Sequence, residues 1–198
     1  MCKAWKHAVR AICVACAALY ACGAAAQAPL DASVKAAYIY RFLEYVAWPA
    51  QAFRAPDDPI VIGVTHVDEV TAELQRIVSA RAVQKRPLTV VQMQDERELP
   101  VHVLYAASLD SSRVARALKA ARQRPILIVT DAPDGLEKGA TINFVQSDGR
   151  IKFEVSLEAA AHAGLNISSR LLAVALRVKK GEYGRRVYAS LRIPGAIR

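Results

Sequence analysis

Two hydrophobic periods run through this chain, and they are most regular between Gly139 and Val178. Ala140 to Val145 alternates, with Ile142 and Phe144 on one face and Thr141, Asn143 and Val145 on the other. Ile151, Phe153 and Val155 repeat the alternation, so both runs predict half-buried strands. Between them, Gln146 to Arg150 contains Asp148-Gly149, the pair that a tight hairpin favours because glycine accepts a positive φ. After a small-residue segment, Ala159 to Gly164, either Ser168 or Ser169 caps a predicted helix. Its apolar stripe comprises Ile167, Leu171, Val174, Ala175 and Val178.

Upstream the period changes to that of strands and helices in alternation. Asp31 or Ser33 caps a helix carrying Val34, Ala37, Tyr38, Phe42, Tyr45 and Val46, which Trp48-Pro49 terminates. Ile60 to Val64 is a β-branched strand. Thr65 or His66 then caps a helix with Val70, Leu74, Ile77 and Val78, whose first turn holds Asp68 and Glu69. Leu88–Met93, Val101–Tyr105 and Ile126–Val129 are further strands, and a helix starting at Ser108 or Asp110 carries Val114, Ala117, Leu118 and Ala121. Such alternation predicts parallel pairing with crossovers. The expected fold is a single α/β domain with a mixed, mostly parallel sheet, an added antiparallel hairpin, and helices on both faces.

The first 28 residues read as a secretory signal peptide. Lys3, Lys6 and Arg10 form a positive start, Ala11 to Ala21 is apolar, and Ala26-Gln27-Ala28 is a small-x-small cleavage site. Its 11 apolar residues are too few for a span, which takes about 20. Leu19-Tyr20-Ala21-Cys22 outlines a lipoprotein signal as a minority alternative. All four cysteines, Cys2, Cys13, Cys16 and Cys22, lie in this leader, so the exported domain is expected to be held by its core rather than by disulfides. The net charge of +9 is unevenly spread: residues 29–176 carry 17 basic and 17 acidic residues, while residues 177–198 carry seven basic residues against Glu182 alone. A neutral body argues against nucleic-acid binding. The expected division is a leader at 1–28, a domain at 29–180 and a basic extension at 181–198.

Catalytic signatures are sparse. No nucleophile elbow, metalloprotease motif or phosphate loop is present. His66 follows a strand, where open α/β sheets bind ligands, but a capping or exposed role suits it better. His102 and His162 read as structural or surface residues. Thr130-Asp131 could place a carboxylate at a strand end, although Ala132-Pro133-Asp134-Gly135 makes it a turn start. Ser168 and Ser169 are explained by capping. Asn143 and Glu154 are the polar residues least explained by packing. No metal or cofactor is called for, and the chain reads as a non-enzyme.

Gly139-Ala-Thr-Ile-Asn-Phe-Val145, then Arg150-Ile-Lys-Phe-Glu-Val155 and Gly164-Leu-Asn-Ile-Ser-Ser-Arg-Leu-Leu172, resembles the C-terminal signature of the YfiR family of periplasmic regulators. Val34 to Phe42 with Trp48-Pro49 resembles its N-terminal signature. Some relatives carry disulfides in the domain; this chain departs from them. The resemblance implies a periplasmic repressor that binds the periplasmic sensor region of an inner-membrane diguanylate cyclase and thereby lowers cyclic-di-GMP and biofilm formation. An outer-membrane lipoprotein relaying the signal and a homodimer are further implied partners. Candidate partner or ligand contacts are Tyr40, Trp48 and His66 in the first half of the chain. In the second half they are Asn143, Phe144, Glu154, Ser168 and Ser169. The alternative reading is a periplasmic small-molecule sensor with its ligand near His66, Tyr105 or Asp131. Contact with the membrane would be peripheral, through the basic tail.

Overall fold

The computed structural model describes residues 27–66, 68–79, 81–93, 101–107, 115–116, 118–119, 121 and 124–181. In chain order it contains helix α1 (Gln27–Tyr45), strand β1 (Val46–Ala47), a 3₁₀ turn (Ala50–Ala52), β2 (Ile60–Val64), α2 (Glu69–Val78), β3 (Ala82–Val83), β4 (Arg86–Gln92) and β5 (Val103–Ala106). There follow β6 (Leu127–Thr130), β7 (Ile142–Ser147), β8 (Arg150–Ser156), α3 (Leu157–His162), β9 (Asn166–Ile167), α4 (Ser169–Val174) and β10 (Arg177–Lys179).

Eight strands form one sheet in the order β10-β8-β7-β6-β5-β2-β4-β3. The five central strands, from β7 to β4, are parallel; β8 and β3 run antiparallel to their neighbours, and β10 is parallel to β8. The mixed α/β sheet expected from the period changes is therefore present. Strand alternation sorts the side chains into two cores. Val103, Tyr105, Leu127, Val129, Ile142, Phe144 and Phe153 meet α1 and α2 on one face. Leu104, Ala106 and Ile128 meet Leu118 and Ala121 on the other. Such two-sided burial is why β5 and β6 read as continuous apolar runs.

The hairpin forms as its sequence predicts. Phe144 faces Phe153, and the two-residue turn places Asp148 at φ 54° and Gly149 at φ 68°. Two positive φ values match the right-handed twist of the strands they join. Packed on its inner face is an aromatic cluster from α1: Phe42 meets Phe153 edge-on at 4.9 Å and Phe144 at 5.9 Å, while Tyr38 meets Phe153 at 5.4 Å. Edge-to-face pairs add to the burial of the rings themselves.

Several boundaries differ from expectation. Helix α1 already includes Gln27, so Asp31 and Ser33 lie within it and neither caps it; Ser33 bonds to Glu73 of α2 instead. Its buried stripe is Ala32, Ala36, Ile39, Phe42, Leu43 and Val46, turned from the expected one, with Ala37 exposed. The cap of α2 is Asp68, whose Oδ1 accepts the Thr71 amide at 2.8 Å, rather than Thr65 or His66. The stripe predicted from Ile167 to Val178 breaks into three pieces. Ile167 belongs to β9, α4 is only six residues long, and Val178 lies in β10. Strand pairing overrides the helical period there: the Leu176 amide bonds to the Phe153 carbonyl at 2.8 Å and the chain continues along the free edge of β8. Consequently Val174, expected in the stripe, is 69% exposed.

A short hairpin, β3 to β4, was not foreseen. It turns through Gln84 and Lys85, both at positive φ, and Gln84 Nε2 donates to the Leu43 and Val46 carbonyls at the end of α1. Those bonds satisfy carbonyls that a helix end leaves open. The expected leader, save its last two residues, and the expected basic extension beyond Gly181 lie outside the described residues. So does the start of the helix expected from Ser108 or Asp110.

Candidate functional site

Three parallel strands end close together, and their ends collect the polar residues of the core. Strands β4-β2-β5-β6-β7 have the order of a doubly wound sheet that reverses between β2 and β5, where open sheets of this kind form a crevice. Thr65 extends β2 there, its amide bonding to the Tyr105 carbonyl at 3.1 Å. His66 follows, exposed, and its carbonyl accepts the Thr71 hydroxyl at 3.0 Å. The Tyr105 ring is 1% exposed. Burial, reinforced by the negative charges of Asp131 and Asp68, pushes its hydroxyl far above the ordinary phenol range, so it stays protonated. Asp131, at the end of β6, pairs with Lys35 of α1 at 2.5 Å, and both side chains are largely buried.

Behind Asp131 the chain is braced. Thr130 Oγ1 donates to the Ala106 carbonyl at 2.7 Å and accepts the Ala132 amide at 3.1 Å. Asn143, in register with Thr130, turns its amide nitrogen to the Thr130 and Ala132 carbonyls at 3.1 and 3.2 Å. Gly135 packs against it so closely that a Cβ would sit 2.5 Å from the Asn143 side-chain amide. Asn143 is thus 4% exposed and holds the turn after β6.

The other candidate residues are distributed rather than gathered. Tyr40 is half-buried on α1 with the Arg81 guanidinium 5.1 Å from its ring centre. Phe144 is buried in the aromatic cluster. Glu154 forms a two-pronged ion pair with Arg177, at 2.8 and 3.0 Å, which ties β10 to β8; Glu137 joins it through Arg177 and Lys179. Lys179 holds the Glu137 carboxyl below its usual range. Ser168 caps α4, its Oγ accepting the Arg170 amide, and its own amide bonds to the Tyr45 carbonyl at 2.9 Å. Ser169 is exposed in the first turn.

Trp48 leads to the opposite end of the sheet. Its indole Nε1 donates to the His102 carbonyl at 3.1 Å. His102, expected as a structural or surface residue, is half-buried: Nδ1 accepts the Val61 amide at 3.1 Å, which leaves Nε2 as the protonated nitrogen facing the Ala52 carbonyl at 3.1 Å. Its ring stacks on Phe53 at 4.4 Å, and the Arg86 guanidinium lies 3.7 Å from the Phe53 ring centre. Desolvation lowers the His102 pKa below the ordinary value. The sequence carried one sign of this role, a histidine opening an otherwise apolar run.

Chemically, these arrangements bind and brace. Ser156 and Ser168 spend their oxygens on helix caps, and Lys35 and Asp131 are paired with each other. Among the described residues no group of three or more histidine, cysteine, aspartate and glutamate side chains could hold a metal ion, and no helix is long and apolar enough to cross a membrane.

Residues 32–176 match the model of the YfiR/HmsC-like family, and the chain belongs to that family. The family's role is regulatory, as periplasmic regulators of diguanylate cyclase signalling. No curated protein matches the sequence. Among solved structures, the chain is similar to one described as a conserved domain protein from Vibrio cholerae O1 biovar eltor, with 16% identity and a TM-score of 0.43. That likeness covers 61% of this chain and 55% of the other, so the chain spans little more than half of that structure's length.

Proposed function

We propose that this protein is exported to the periplasm by its first 28 residues. There it represses an inner-membrane diguanylate cyclase by binding the cyclase's periplasmic sensor region, lowering cyclic-di-GMP and biofilm formation. The observation that carries this reading is the family match over residues 32–176. Repression by a binding protein follows if it engages the inactive cyclase conformation alone, since a ligand shifts an equilibrium by its differential affinity for the two states. The contact surface on this reading draws on Tyr40, Trp48 and His66, and farther along the chain on Glu154, Ser168 and Ser169, while Asn143 and Phe144, being buried, support it from within. Signal relay by an outer-membrane lipoprotein, homodimer formation and peripheral membrane contact through the basic residues of 181–198 belong to the same reading.

The test is deletion of the chain in its host, with cellular cyclic-di-GMP and surface attachment as readouts, and a second strain that also lacks the cyclase. Cyclic-di-GMP should rise in the first strain and return to its starting level in the second. An unchanged level in the first strain would count against repression. A second reading, a small-molecule sensor, is favoured by the reversal of strand order between β2 and β5 beside His66, Tyr105 and Asp131. It requires a ligand that displaces or bridges the Lys35 and Asp131 pair.

A further inference from the structure

A second concave surface lies at the opposite end of the sheet, where β2, β5 and β6 begin. It is a cleft of about 490 Å³. Its apolar surface comes from the half-buried Ala52, Pro59, Val61 and Pro125, with Val101 and Ile126 buried behind them. His102, fixed on both ring nitrogens as described above, makes part of the wall, so this side of the cleft is built on backbone that the sheet holds in place.

Among the described residues, the charges lining the cleft are unbalanced. Arg54 and Arg124 both line it, and among the described residues neither guanidinium makes a hydrogen bond or ion pair. Arg86 stands close by, near enough to act on both Asp58 and His102, but its guanidinium is committed to the Ala55 and Asp58 carbonyls at 3.0 and 2.8 Å. The acid in the lining is Asp58. Its Oδ2 accepts the Arg54 and Ala55 amides at 2.8 and 2.9 Å, so that oxygen is turned to the chain's own backbone. Among the described residues the cleft thus holds two guanidinium groups, Arg54 and Arg124, against one carboxylate, which the chain's own backbone engages and on which Arg54 also acts.

We propose that this cleft binds a small organic anion with an apolar body, a carboxylate of about the size of benzoate, with its charge met by Arg54 and Arg124 and its body laid on Ala52, Pro59, Val61 and Pro125. The chemistry is complementary on both counts. Guanidinium groups bind carboxylates through paired donors, and an apolar floor beside a few polar groups is the usual make-up of a small-molecule site. The site is distinct from the crevice at the other end of the strands, and it does not depend on the cyclase reading.

The experiment is a nuclear magnetic resonance titration of the full chain with three probes: benzoate, benzyl alcohol and inorganic phosphate. Benzoate is expected to move the backbone amide resonances of Val61, His102 and Ile126 along a saturating one-site curve. Benzyl alcohol, which keeps the ring without the charge, and phosphate, which keeps charge without the ring, should each bind at least about tenfold more weakly. The double variant R54Q/R124Q, altered at two exposed side chains, should weaken benzoate by about tenfold or more while keeping its urea midpoint. R150Q, at the far hairpin turn, should change nothing. Equal binding of benzyl alcohol or phosphate, shifts confined to other regions, or an unaltered affinity in a folded double variant would each overturn the proposal. No cyclase enters the assay, so its failure would leave the repressor reading standing, and the reverse.

Discussion

Phe153 is the side chain on which the hairpin and the first helix both depend. It is 2% exposed and touches Tyr38 and Phe42, with Phe144 as its cross-strand partner. Phe153→Ala should cost about 3–5 kcal/mol in urea unfolding, because it removes a buried ring and leaves a cavity. Phe153→Leu should cost clearly less. His102 supports a prediction of a different kind. Its pKa is lowered in the fold from an ordinary 6.5, so the unfolded chain takes up a proton first as pH falls. The contribution of His102 is complete above the unfolded value and is lost as pH falls from there through the folded value. The urea midpoint should therefore drop as pH falls below the ordinary histidine value of 6.5, and His102→Asn should flatten that drop. At this scale the sequence was partly legible. Alternation alone put Ile142 and Phe144 on one face, but the same rule left Asn143 unexplained, because its partners are two carbonyls 11 and 13 residues earlier in the chain. No local pattern encodes them.

Elements were legible where one period and one turn residue agree, as in the hairpin. Gly149 sits at φ 68° with open space where a Cβ would be, so Gly149→Ala meets strain and no clash. It should cost about 1 kcal/mol, read from the urea midpoint, with the fold retained. Elements were not legible where an edge competes with a helix. Leu171, Val174, Ala175 and Val178 keep helical spacing, yet the chain leaves the helix after Val174 to pair with β8. The advantage of a ladder bond and of the Arg177 and Glu154 ion pair lies 20 or more residues away in sequence. Glu154→Gln should therefore loosen β10 specifically. We expect faster amide hydrogen exchange at Val178 and Lys179, with a global cost of only about 0–1 kcal/mol because Arg177 is half exposed. Faster exchange throughout the sheet would show that the pair holds more than its own strand.

For the whole molecule, the fold class followed from the succession of strand and helix periods, with the parallel centre and the antiparallel edge in their expected places. The family was legible through the paired signatures at the two ends of the domain, both of which fall within the match over residues 32–176. The ligand-class cleft was not legible, since Arg54, His102 and Arg124 come from three separate segments that only the sheet brings to one end. At this scale the expected outcome is cellular: loss of the chain raises cyclic-di-GMP, and loss of the cyclase cancels that rise.

The first helix is completed by the last quarter of the domain. It delivers Tyr38 and Phe42 to Phe144 and Phe153, it holds Asp131 across 96 residues, and its exit strand pairs Val46 with Ile167. Folding must wait for those late partners, and closing such long loops is slow. During synthesis, a ribosome that has made only the first hundred residues has made a chain with nothing to cover the aromatic side of that helix. Such a chain is expected to stay loose until its end is available, the condition that the export proposed above would require of it.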